Sequence, residues 1–206
     1  MQIPNPSTDP EKRQAILDAC FEQFAAKGFA GTDVEQVAHL ANVGKGTVYR
    51  YFGNKEELFR ATADSAMKRL ETHILGVLEG IEDPVKIIRT AAVAYAEFFQ
   101  RHPQLVEILI IERAEFRDSI PATHLVYREK NRRIIDDILR RGMALGEFRH
   151  VNVREATNAL ANMLYGTVVC GCLEGSSRRL KRRTEHCIDL YLNGILTRGG
   201  AGKKRS

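Results

Sequence analysis

Lys45, Thr47, Tyr49, Arg50, Tyr51 and Lys55 fall within eleven residues and carry three cations and three hydroxyls. Donors at this density suit the oxygens of phosphate, and an arginine can also read a guanine edge through two parallel hydrogen bonds. The twenty residues from Gln36 to Lys55 contain no acid, and His39 lies beside the cations. Donors of this kind need a rigid carrier. Thr32–Phe59, TDVEQVAHLANVGKGTVYRYFGNKEELF, reads as two short helices joined by a tight turn, followed at once by a third helix start. Such a pair offers its second helix to a major groove, so the stretch reads as a DNA-binding helix-turn-helix.

Little else in the chain has the spacing that chemistry requires. There is no Ser/His/Asp set, glycine-rich phosphate loop or metal-spaced His cluster, so no enzyme activity, cofactor or metal is expected. Cys170 and Cys172, two residues apart on a helix, point about 200° away from each other and cannot easily share a metal or a disulfide. Buried thiols acting as small hydrophobes are expected there and at Cys20 and Cys187. In the apolar helix LVEILIIERAEF, the charged Glu107, Glu112 and Arg113 suggest a polar group orienting a small molecule in a greasy pocket. Phe98, His102, Leu109, Glu112, Phe116, Tyr127, Asn131 and Met163 are the candidates to line it, although core packing explains most of them equally well.

The net charge of +5 is mild, and residues 1–60 hold seven basic and eight acidic residues. Positive charge is therefore confined to one stripe of that region. Met1 is followed by a polar, proline-containing segment with no secretory pattern. The longest uncharged run, Ala156–Leu173, includes Asn158 and Asn162 and is expected to be too short and too polar for a membrane span. A cytoplasmic protein with reduced thiols is expected.

The elements that would carry these residues are all helical. Asp9-Pro10-Glu11 caps a first helix that Gly28 ends, with Ile16, Leu17, Cys20, Phe21 and Phe24 on one face. Thr32-x-x-Glu35 reads as the capping box of a second helix, and Asn54-x-x-Glu57 opens a long fourth. Asp83-Pro84, Gln104, Pro121, Asn152 and Ser176 or Ser177 mark five further starts, giving an all-α chain of about nine helices. The segment Val153–Leu173 is apolar on nearly every side and must be covered all round, by its own core or by a second copy. Arg178–Arg183 reads as a solvated helix start rather than a second nucleic-acid site. The first eight residues and Gly199–Ser206 lack an apolar pattern and are expected to be disordered.

Over Gly28–Phe59, and above all in KGTVYRYFGNKEEL, the chain resembles the tetracycline-repressor (TetR) family of bacterial regulators. The resemblance implies an N-terminal three-helix DNA-binding head, residues 1–55, and a larger ligand-binding and dimerisation body, residues 56–206. It assigns Gly44–Tyr51 to the recognition helix. Lys45, Gly46, Thr47, Tyr49, Arg50 and Tyr51 then match positions that meet DNA, and Lys55 matches a lysine that clamps a phosphate. Thr32 would cap the supporting helix near the DNA backbone. Gly44 departs from the Ser or Thr of many relatives, so contact there runs only through backbone. The resemblance also implies a homodimer through the last two helices, with Leu160, Leu164, Val168, Cys187 and Tyr191 at the interface. The function implied is a homodimeric repressor released from a palindromic operator by an unknown small-molecule effector. An activator or architectural DNA-binder without a ligand is the alternative.

Overall fold

The structure is a computed structural model that describes residues 9–117 and 121–197. The first eight residues and Gly199–Ser206, expected to be disordered, lie outside the described residues. Nine α-helices are present among the described residues, with no strand beyond one isolated antiparallel bridge between Phe148 and Leu196. They gather into two compact units. One comprises the chain through Arg69 together with Gln104–His124; the other comprises Leu70–Pro103 and the chain from Leu125.

In the first unit, α1 (Pro10–Gly31) starts where the Asp9 carboxylate accepts from the amides of Glu11 and Lys12. Its buried face is Ile16, Leu17, Cys20 and Phe24, and burial pushes the Cys20 thiol up to about 12, leaving it an inert apolar filler. Gly28, at φ 72° and ψ 177°, breaks the helical path, and a last turn follows to Gly31. A side chain is strained at that φ. α2 (Val34–Leu40) and α3 (Lys45–Phe52) follow, joined by a turn in which Asn42 takes φ 53°. α4 (Lys55–Leu78) starts with Asn54 Oδ1 accepting from Glu57 N at 2.8 Å and runs from the first unit into the second.

α6 (Gln104–Phe116) also belongs to the first unit, packing on α1. Its buried residues include Leu105, Val106, Ile108, Leu109 and Phe116. Phe24, Phe29, Phe59 and Phe116 form one aromatic cluster, with the Phe29 and Phe116 centroids 5.0 Å apart, edge to face.

The second unit is built on α5 (Pro84–Arg101), most of α7 (Thr123–Ala144), α8 (Val153–Leu173) and α9 (Leu180–Ile195). Asp83 and Asn152 cap α5 and α8 as their sequence contexts predict. Ile88, Ala92, Leu139, Phe148, Ala156, Leu160, Ile188, Leu192 and Ile195 form its core. Gly142 lies under the Phe148 ring and Gly171 under Leu180, so a Cβ at either position would collide with its neighbour.

Three helix starts differ from expectation. The N-cap of α2 is Asp33, whose carboxylate accepts from Glu35 N at 2.8 Å, because Thr32 is turned inward. α7 begins at Thr123 rather than at Pro121, since buried Glu112 accepts from Thr123 N at 2.8 Å and from its hydroxyl, and so acts as the cap. Before α9 there is a 3-10 turn, Ser177–Arg179, and neither serine caps the helix; Ser176 Oγ instead donates to the Gly171 carbonyl. At α2 and α9 a nearby polar side chain suits a cap, while the fold has other work for Thr32 and Ser176.

α8 is 21 residues long and, by length and composition alone, apolar enough to cross a membrane, against the sequence expectation. Its polar residues have partners within the unit. Arg128 donates to Asn162 at 2.7 Å and to Asn158 at 3.0 Å, and Thr157 donates to Asp136 at 2.6 Å. Packing against α5 and α9 covers one side of it.

Candidate nucleic-acid interface

α3 owes its orientation to two residues. Val48 is fully buried and Phe52 is 8% exposed, so these two side chains seat the helix, which packs on α2, with Arg13 of α1 over the Phe52 ring. Everything on the other side faces solvent. Gly44, Lys45, Gly46, Tyr49 and Arg50 are exposed, and Thr47 is half-buried beside them. Gly44 caps the helix with backbone only, leaving its first amides open to an acceptor. No Cβ at Gly44 or Gly46 would meet a neighbour, so glycine is not needed there for packing. Its absent side chain is an asset only toward something outside the chain.

The charges are partly engaged. Lys45 Nζ lies 3.6 Å from the Glu35 carboxylate, both well exposed, a pair that solvent screens heavily. Glu35 stands one residue before the acid-free stretch, and the α2–α3 turn folds it back onto that stretch. Lys55 Nζ donates to the Ala30 carbonyl at 3.2 Å and sits 5.0 Å from the centre of the Phe29 ring. Arg50 is exposed and makes no ion pair among the described residues. The Tyr51 hydroxyl donates to the Asp9 carbonyl at 3.5 Å and its side chain is half-buried.

Thr32 requires correction. It is 3% exposed, and its hydroxyl donates at the kink of α1, to Gly28 O at 2.8 Å with Gln23 O at 3.1 Å. Its hydroxyl ties back to the carbonyls of α1, so its side chain is not presented to solvent.

The assembled surface is a short, firmly seated helix with open amides, flanked by a lysine at each end and an arginine and tyrosine on its outer face. Residues 16–62 match the family described as bacterial regulatory proteins, tetR family, and residues 82–169 match the tetracyclin repressor-like C-terminal domain. Together these spans cover well over half of the sequence. The chain belongs to the TetR family. Its members are transcriptional regulators that bind DNA through this helix-turn-helix. The chain is 26% identical over 196 residues to the fatty acid metabolism regulator protein of Bacillus subtilis (strain 168), covering 89% of this chain and 95% of that protein. It is 33% identical over 98 residues to the uncharacterised HTH-type transcriptional regulator YhgD of the same organism. That match spans 48% of this chain and only 51% of the relative's length. The regulator FadR from Bacillus subtilis, solved in complex with stearoyl-CoA, shares the fold, with a TM-score of 0.75 at 21% identity over 89% of this chain and 99% of that one.

The eight candidates for a small-molecule pocket divide between the two units of this TetR-family chain. Leu109, Glu112 and Phe116 are buried in the first unit, and their packing, or for Glu112 the cap on α7, accounts for them. Phe98, His102, Tyr127, Asn131 and Met163 belong to the second. There the Phe98 and His102 rings are 4.7 Å apart, and Asn131 Nδ2 donates to Glu71 at 3.0 Å and to the Tyr127 carbonyl at 3.0 Å. Met163 is half-buried against the core.

The residues assigned to a dimer face also divide. Leu160 is 5% exposed and Val168 fully buried in the chain's own core, so neither is free for a partner. Tyr191 is half-buried, its hydroxyl donating to the Ala156 carbonyl at 3.0 Å and pushed up to about 12 by burial. Leu164 and Cys187 keep partial exposure. On the same two helices, Leu173 is 62% exposed and Leu190 76% exposed. Cys170 is exposed and Cys172 and Cys187 are partly so, which corrects the expectation of buried thiols at all four positions. Among the described residues no group of three or more His, Cys, Asp or Glu is placed to hold a metal.

Proposed function

We propose that this chain is a homodimeric, ligand-responsive repressor, with residues 1–55 reading DNA and residues 56–206 binding an effector and the second copy. The observation that carries the reading is α3: two buried anchors on one side and an uninterrupted set of donors, Lys45, Gly46, Tyr49 and Arg50, on the other. Each copy places α3 in a major groove of a palindromic operator, the two grooves about 34–36 Å apart or a multiple of that. Arg50 reads a base edge, Lys45 and Lys55 neutralise phosphates, and the backbone at Gly44 and Gly46 approaches a phosphate closely.

Dimerisation is supported by the outward side of α8 and α9. Ala159, Asn162, Cys170 and Leu173 on α8, with Leu190 on α9, are exposed and carry no charge. An uncharged surface of this kind on a regulator that needs two heads for specificity fits a second copy. Phe98, His102, Tyr127, Asn131 and Met163 are proposed to meet the effector. The relatives nominate its class: one is a fatty acid metabolism regulator and another was solved with stearoyl-CoA, so long-chain acyl-CoA thioesters are the first to try.

Selection of bound DNA from a random duplex pool, followed by release with stearoyl-CoA and a panel of free fatty acids, tests the reading. Recovery of an inverted repeat that stearoyl-CoA releases is the expected result. A single half-site, or no enrichment at low ionic strength, would overturn the dimeric repressor. An inverted repeat indifferent to every acyl compound would remove the effector class alone.

A further inference from the structure

Phe29 does more than complete the aromatic cluster of the first unit. It follows the kink directly: Gly28 at φ 72° turns the chain out of the α1 path, and Thr32 holds the turn through the Gly28 carbonyl. The ring that results is only half-buried, unlike Phe24 and Phe59 beside it. One side packs edge-on to Phe59, at 5.7 Å, and to Phe116 of α6, at 5.0 Å. The Lys55 ammonium lies 5.0 Å from its centre while donating to the neighbouring Ala30 carbonyl at 3.2 Å. Lys55 is thus held at the first residue of α4 by a carbonyl and a π face, with donors to spare for an external oxygen.

We propose that Phe29 is a positioning residue for DNA binding: it holds the Lys55 ammonium ready for a phosphate, and Phe116 of α6 holds Phe29 in turn. The inference rests on the reading of this chain as a DNA-binding regulator and adds to it a contact route within the first unit, from α6 through two rings to a phosphate-binding lysine. A free lysine side chain surrenders much rotamer freedom when it clamps a phosphate. A lysine already resting on a ring has surrendered most of it before DNA arrives. Phe29 therefore strengthens binding without touching the duplex.

A double-mutant cycle on the full-length chain tests this, read as affinity for a mixed-sequence DNA duplex at several salt concentrations. Lys55→Met should weaken binding to every sequence and lessen the salt slope by about 1. In the Lys55 background, Phe29→Leu should weaken binding by roughly two- to thirty-fold, the range of a cation–π contact, while Phe29→Tyr, which keeps the ring face, should restore it. In the Lys55→Met background, Phe29→Leu should change nothing further. Phe116→Leu should follow the same pattern with a smaller loss. Thermal melting of each variant fixes the folded fraction, and Phe29→Met replaces the leucine variant if that fails to fold. An equal loss from Phe29→Leu in both backgrounds would make Phe29 a packing residue and overturn the proposal. If Lys55→Met itself left affinity and slope unchanged, Lys55 would be only the partner of the Ala30 carbonyl, and the phosphate assignment beneath the proposal would fall instead.

Discussion

α3 and α8 both leave much of their surface uncovered, but with opposite chemistry. The eight-residue α3 buries Val48 and Phe52 and turns lysine, tyrosine and arginine outward. The 21-residue α8 buries Ala156, Thr157, Leu160, Val168 and Gly171 and, beyond the exposed Arg154 and Glu155 of its first turn, turns alanine, asparagine, cysteine and leucine outward. Exposed cations cost a protein little in water and gain only when a polyanion arrives. Exposed leucine costs free energy in water and regains it only against another apolar surface. The two helices therefore point to two kinds of partner, a duplex for one and a protein surface for the other.

The sharpest way to break that comparison lies within the second unit. Leu160→Ala should lower stability by about 2–5 kcal/mol, because Leu160 belongs to the chain's own core. Leu190→Ala should shift stability by less than about 0.5 kcal/mol while weakening self-association, measured by sedimentation against concentration. If the two variants destabilised equally at a dilution where the chain is monomeric, Leu190 would be covered by its own fold and the protein-facing reading of this surface would fail. On α3, Arg50→Ala should cost about 1–3 kcal/mol on the preferred operator and relax base preference, read by competition between operator and scrambled duplex. Equal loss on both duplexes would reduce Arg50 to a phosphate contact.

Smaller effects test how α3 is presented. Asn42 sits at φ 53° in the turn before it, a conformation asparagine tolerates and a β-branched residue does not. Asn42→Val should cost about 1–2 kcal/mol in thermal unfolding, and Asn42→Gly should stay within about 0.5 kcal/mol of the parent. A harmless valine would mean that the turn is not held in this form. The smallest effect belongs to the second unit. Burial, and then the neighbouring Asp83, raise the Glu147 carboxyl above its usual 4.5, with Arg141 opposing. A carboxyl with a raised folded pKa takes its proton in the folded state first, so its contribution to stability grows as pH falls through that pKa toward 4.5. Glu147→Gln should therefore melt slightly higher than the parent at neutral pH, and the difference should shrink on acidification.

The helix starts and the donor stripe were legible because their signals are local. Asp9, Asn54, Asp83 and Asn152 cap helices where their sequence context says they should, and the donor spacing of Lys45–Lys55 is a property of one short segment. Thr32 shows the limit of such reading. Its position and chemistry suit a cap, but two carbonyls of α1, Gln23 and Gly28, compete for its hydroxyl and win. Glu112 shows the same limit, since its partner is eleven residues away, at Thr123. Phe29 carried a weak signal, an aromatic directly after a helix-ending glycine, that makes sense only once Lys55 and Phe116 are seen around it.

Periodicity, caps and an acid-free run of donors settled by themselves that the chain is helical and that α3 faces outward, because turns and helix faces follow from neighbours a few residues apart. Which side of α8 is core and which is free, where α6 belongs, and what holds Lys55 were decided by contacts between residues far apart in the chain. Those contacts compete for the same side chains, and only the folded arrangement determines which of them prevails.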